Sequence, residues 1–72
     1  MALNVSGVVW GTGRSKGGKN IVYIENIAIL LFGDDGDVNH LIGKRVMFVA
    51  RYSGKGSLFY GYEYLVINDR ED

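Results

Sequence analysis

The sequence predicts a mainly β domain: one small five-stranded barrel with a single short helix between its third and fourth strands. Three observations lead there. Residues 45–52 alternate, with Val46, Phe48, Ala50 and Tyr52 set against Arg45, Met47, Val49 and Arg51. That period of two turns one side of a half-buried strand inward. Residues 21–32 are apolar almost throughout, rich in β-branched side chains and broken only at Glu25-Asn26. Helical spacing is carried by Val38, Leu41 and Ile42. A chain of 72 residues makes one domain, at a size where folding removes only roughly 60% of the unfolded surface from water.

Strand one is expected over residues 3–10, short and valine-rich, with Gly7 marking a bulge or the bend of a curling sheet. Residues 11–20 hold four glycines and no large apolar side chain, the composition of a flexible exposed loop. The next run, 21–32, fits either a buried helix or a tight hairpin. Its β-branched Ile21, Val22, Ile24, Ile27 and Ile29, with no capping residue inside the run, favour the hairpin. A two-residue turn pairs Ile24 with Ile27 and Val22 with Ile29. Val22, Ile24, Ile27, Ile29 and Leu31 then face the core, and Ile21, Tyr23, Ala28, Leu30 and Phe32 lie outside. Glu25 suits a positive φ poorly, so a longer turn with a shifted register is the alternative.

Residues 33–36, Gly-Asp-Asp-Gly, supply turn chemistry, and Asp35 or Asp37 can cap a helix of about two turns that Gly43 ends. Residues 44–67 form a hairpin hinged on Ser53-Gly54-Lys55-Gly56-Ser57. In its second strand Tyr60, Tyr62 and Tyr64 alternate on one face, expected to be core or interface before a stacking ladder. The ordered core is expected over 3–67, followed by a frayed, mostly acidic tail at 69–72.

Eight basic and eight acidic residues cancel, which argues against a dedicated high-affinity nucleic-acid binder on bulk charge alone. Their arrangement says more. Arg14, Lys16 and Lys19 share one loop without an acid, while Asp34, Asp35 and Asp37 share another without a base. With no cysteine there is neither a disulfide framework nor a thiolate metal site, and His40 beside Asp35 and Asp37 is expected to be solvated rather than a ligand. No cofactor is implied. Residues 13–20 copy the phosphate-loop spacing, but Asn20 replaces the magnesium-binding hydroxyl and a strand rather than a helix follows. Asn4-Val5-Ser6 fits a glycosylation pattern that matters only in secreted proteins. The start lacks a signal-peptide pattern and no apolar stretch reaches ~20 residues, so the expectation is a cytoplasmic protein with no membrane partner. No nucleophile with a base, paired carboxylates or metal set can be named, so an enzyme is not expected.

Strand, strand, strand, short helix, strand, strand resembles the OB-fold, a five-stranded Greek-key barrel with a helix between strands three and four. The resemblance covers residues 3–67 as an order of elements, with the Gly7 bend, the run Leu41-Ile42-Gly43-Lys44-Arg45-Val46 and the final hairpin its most suggestive parts. It implies oligonucleotide or oligosaccharide binding across strands two and three, between the loops at 11–20 and 53–58. Those loops carry Arg14, Lys16, Lys19 and Lys55, with Arg51 nearby. Tyr23 and Phe32 lie on the intervening face, and Trp10 and Tyr52 at adjoining strand ends. Rings that stack bases beside cations that hold the backbone make a binder of single-stranded DNA or RNA with little sequence preference. The alternative is a protein-interaction module or a small homo-oligomeric subunit. Its motive is an apolar content of 47% and the outer face of strands two and three.

Overall fold

A computed structural model describes residues 2–33 and 36–67. Five strands, β1 (Leu3–Arg14), β2 (Asn20–Ile24), β3 (Ile27–Leu31), β4 (Arg45–Tyr52) and β5 (Leu58–Val66), close into one barrel in the order β1-β2-β3-β5-β4. Neighbours are antiparallel except β3 and β5, which run parallel. Closure removes the unpaired sheet edges that a domain this small could not otherwise protect.

The β2–β3 hairpin has the expected register, with Ile24 opposite Ile27 and Val22 opposite Ile29. The turn is the tight one, and Glu25 accepts a φ of 47° to make it. Val22, Ile24, Ile29 and Leu31 are buried with Val9, Val46 and Phe48 in a single cluster, on which Ile27 packs half-buried. The alternation in β4 likewise puts Val46, Phe48 and Ala50 inside. Tyr52, expected to face inward with them, is exposed instead: β4 reaches its end there, and the ring leans on Phe59 at 5.2 Å.

Strand one runs four residues past its expected end, so the glycine-rich stretch is not a loop from residue 11. Thr12, Gly13 and Arg14 pair with Val22, Ile21 and Asn20. The reason lies across the ladder. Tyr23 spreads its ring over Gly11 and Gly13, supplying the apolar cover that those two positions lack themselves. β1 pairs with β4 through its first half and with β2 through its second, and its irregularity lies within the β1–β2 ladder, between Val9 and Gly11, rather than at Gly7. Gly7 is buried where a Cβ would meet Ile24 at 3.4 Å, so it marks close approach, not a bulge.

The expected helix is replaced by a single 3-10 turn, Asn39–Leu41. Its bonds run from the Leu41 amide to the Val38 carbonyl and from the Ile42 amide to the Asn39 carbonyl. Ile42 is then extended and Gly43 takes a φ of 89°, which stops propagation. Two turns of helix would have to repay a costly nucleus. One tight turn already buries Val38 and Leu41, three residues apart and therefore on one side, in the shared core. The Asp37 carboxylate accepts the Asn39 amide two residues on, but the cap position itself is Val38, so Asp37 caps no helix; Asp35 lies outside the described residues.

β5 carries a second irregularity. Val49 pairs with Glu63 and Ala50 with Gly61, so Tyr62 has no partner in β4. The tyrosine row is therefore split. Tyr64 turns to Phe48 and the core, while Tyr60 and Tyr62 turn to Phe32. Gly61 sits buried between them, where a Cβ would stand 2.7 Å from Cγ2 of Ile29.

Candidate functional site

Register alone places side chains in rows across the outer face of β2, β3 and β5. Tyr23, Ala28 and Leu58 form one row, and Ile21, Leu30 and Tyr60 the next, which Arg51 of β4 extends. At the far end, Phe32 donates its amide to the Gly61 carbonyl and stacks on Tyr62 at 5.7 Å and 24°. Ile21, Tyr23, Ala28, Leu30 and Phe32 are half-buried, with Trp10 stacked on Tyr23 and Tyr60, Tyr62 and Lys19 against Phe32.

Two of the anticipated rings are supports rather than surfaces. Tyr23 lies between β1's glycines and Trp10, whose indole stacks on it at 5.2 Å and 22°. The Trp10 Nε1–H donates to the Glu25 carbonyl at 2.8 Å, fixing the indole in plane. Phe32 has Tyr62 stacked on it and the Lys19 ammonium 4.9 Å from its centroid. The exposed members of the two stacked pairs are Trp10, 61% exposed, and Tyr62, 46% exposed; Tyr52, 50% exposed, is a third outward ring at the end of β4. Tyr62 was expected on a packing face with Tyr60 and Tyr64; only the break in the β5 ladder frees it, and sequence periodicity carries no sign of that break.

The cations divide among several places. The loop is tight, with Ser15 bonded to Lys19 through both backbone and hydroxyl. Lys16 is exposed on it, and Lys19 reaches the Phe32 ring. Arg14 instead braces the loop, donating from its guanidinium to the Gly18 carbonyl at 3.0 Å. It also lines a polar depression of about 390 Å³ with Thr12, Asn20 and Asp37. Basic and acidic loops separated in sequence thus meet in space at Arg14 and Asp37. Asp34 and the 69–72 tail lie outside the described residues.

Trp10 is not at the mouth of this loop. β2 starts opposite Arg14 and ends opposite Val9, so Trp10 sits toward the Glu25-Asn26 turn, at the other end of the ladder. The 53–57 loop is on that side too, since the Ala28 amide donates to the Ser57 carbonyl. Tyr52 belongs to it, its hydroxyl donating to the Gly56 carbonyl, and Lys55 is exposed on its tip. The two basic loops therefore flank the face from opposite ends, the 53–57 loop on the side of Trp10 and Tyr52 and the 15–19 loop on the side of Phe32 and Tyr62.

His40 is exposed in the 3-10 turn, and among the described residues no three histidines or carboxylates gather as a metal site. Residues 13–20 run from strand to strand, so the phosphate-loop spacing has no helix behind it. No buried side-chain nitrogen or oxygen among the described residues lacks a partner; Asn20, buried at the start of β2, donates to the Gly36 carbonyl. No helix among the described residues is long and apolar enough to cross a membrane. No known protein family, curated protein or solved structure matches the chain.

Proposed function

We propose that the barrel is an OB-fold and that the chain binds single-stranded DNA or RNA with little sequence preference, as a binding module and not an enzyme. The strand order β1-β2-β3-β5-β4 with one parallel pair supports the fold reading. One observation carries the functional reading. Trp10 is a large exposed ring held flat by a stacked neighbour and a hydrogen bond, on the face that the two basic loops flank. A ring immobilised before binding loses little entropy when a base lands on it, and base stacking of this kind is worth about 1–3 kcal/mol without reading sequence. Lys16, Lys19, Lys55 and Arg51 are the backbone partners, and Arg14 shapes the loop.

Titration with oligo-dT and oligo-U, followed by Trp10 emission, tests the proposal. Saturable quenching is expected, competed poorly by duplex. Affinity should fall with salt at a log-log slope of roughly −2 to −3.5 for three to five phosphates, about −0.7 for each. Lys16→Ala with Lys19→Ala should flatten it. A titration flat at low salt, both by emission and by anisotropy of a labelled strand, refutes the reading.

A protein-interaction module or homo-oligomeric subunit is the second reading. It is favoured by exposed aliphatics on the strands, Val8 on β1 and Leu65, 62% exposed, on β5. A dimer-sized mass that Leu65→Glu reduces to a monomer supports it.

A further inference from the structure

A depression of about 380 Å³ opens beside the Phe32–Tyr62 pair, lined also by Glu63, Tyr64 and Gly33. It lies at the opposite end of the aromatic face from Trp10. Ala28, in the row of Tyr23, and Phe32, just past the end of β3, are four residues apart, about 13 Å along the strand direction. Crossing from β1 to β5 adds three inter-strand steps of ~4.8 Å, so the two exposed rings lie roughly 20 Å apart on the diagonal. About four extended nucleotides bridge that span, at the short end of the ~4–16 such barrels cover.

We infer that this depression is a base-binding cleft, the second station for the same strand, and that Glu63 makes it favour bases bearing an exocyclic amino group. The inference rests on the single-strand reading proposed above. Tyr62 offers an exposed ring backed by Phe32, as Trp10 is backed by Tyr23. Lys19, beside Phe32, is placed to meet the phosphate of the nucleotide in the cleft. Among the described residues, Glu63 is the one charged residue lining the depression, beside Phe32, Tyr62, Tyr64, Leu31 and Gly33. A carboxylate can only accept hydrogen bonds, so it pairs with the amino groups of cytosine, adenine or guanine. Thymine and uracil have no amino group and offer only the N3–H, flanked on both sides by carbonyl oxygens that repel the carboxylate. The result is a preference at one position in a site that otherwise tolerates any base.

The test compares dT6, dC6 and dA6 by anisotropy of an end-labelled strand, on the wild type, Glu63→Gln, Glu63→Leu and Tyr62→Ala. The wild type is expected to bind dC6 and dA6 about tenfold more tightly than dT6. Glu63→Gln, which keeps an acceptor, should retain part of that ratio, and Glu63→Leu should bring it to one. Removing a negative charge raises affinity for every strand alike, so the ratio, not the affinity, reports the hydrogen bond. Tyr62→Ala should weaken all three about tenfold while Trp10 quenching persists. Equal binding of the three strands, or a preference unchanged in Glu63→Leu, overturns the cleft and leaves the single-strand reading standing. Absence of binding to every strand overturns both.

Discussion

The two ring pairs on the outer face are built differently. Trp10 is the residue that the β1–β2 ladder skips, and it is held from two sides: the tyrosine lies on two glycines of β1 and carries the indole, which is tied to a backbone carbonyl. Tyr62 sits at a like break in the β4–β5 ladder, and its support is the Phe32 ring. Phe32 comes just past the end of β3, Tyr62 is skipped by the β4 pairing, and the neighbouring cation is the end of a flexible lysine. The first pair is a fixed platform. The second is secured by ring stacking with the Lys19 ammonium against Phe32, and it is there that the proposed selective contact with a base is placed.

Substitution at Gly61 strikes hardest at the second pair. A side chain there meets Ile29 and Leu31 in the core, so β5 must move and carry Tyr60 and Tyr62 with it. Gly61→Val is expected to cost about 3 kcal/mol in urea unfolding, and Gly61→Ala less. A loss under 0.5 kcal/mol for Gly61→Val would show that the barrel is not packed as described.

Tyr23→Ala removes the support of the first pair and uncovers Gly11 and Gly13. The expected loss is about 2 kcal/mol, with the Trp10 near-ultraviolet dichroism collapsing as the stack disappears. If that band survives, the hydrogen bond to Glu25 alone holds the indole. Phe32→Ala should cost less, about 1 kcal/mol, because Phe32 is only half-buried at the end of the sheet. It should leave the Trp10 band unchanged, and a change there would mean that the pairs are coupled.

The smallest effect sharpens the contrast from the turn. Glu25 holds a left-handed conformation that costs an L-residue about 1–2 kcal/mol, part of which glycine's greater unfolded-state freedom offsets. Glu25→Gly should therefore stabilise by about 0.5 kcal/mol. Since Trp10 bonds to the backbone carbonyl and not to the side chain, its emission should not move.

Much of the barrel was legible wherever burial imposes a period of two. The β2–β3 register and the inward set of β4 follow from alternating aliphatics, because a one-residue slip would turn the whole set toward water. The sequence alone also marked Trp10, Lys16, Lys19 and Lys55 as candidate contacts, and all four are exposed or half-buried at the surface. Its limits are equally physical. Glycines at 11 and 13 have no side chain to reveal that they are strand, and only Tyr23, ten to twelve residues away, covers them. Helical spacing at 38–42 records that Val38 and Leu41 share a face, which one 3-10 turn satisfies as well as a helix does. Pairing between strands decided which tyrosine is free, since the ladder's break at Tyr62 arises from fitting β5 against β4 around Gly61. Folding also decided the charge pattern, bringing Arg14 beside Asp37 and setting the two basic loops at opposite ends of one aromatic face. Register across a closed barrel is a long-range property, and no local window of the chain contains it.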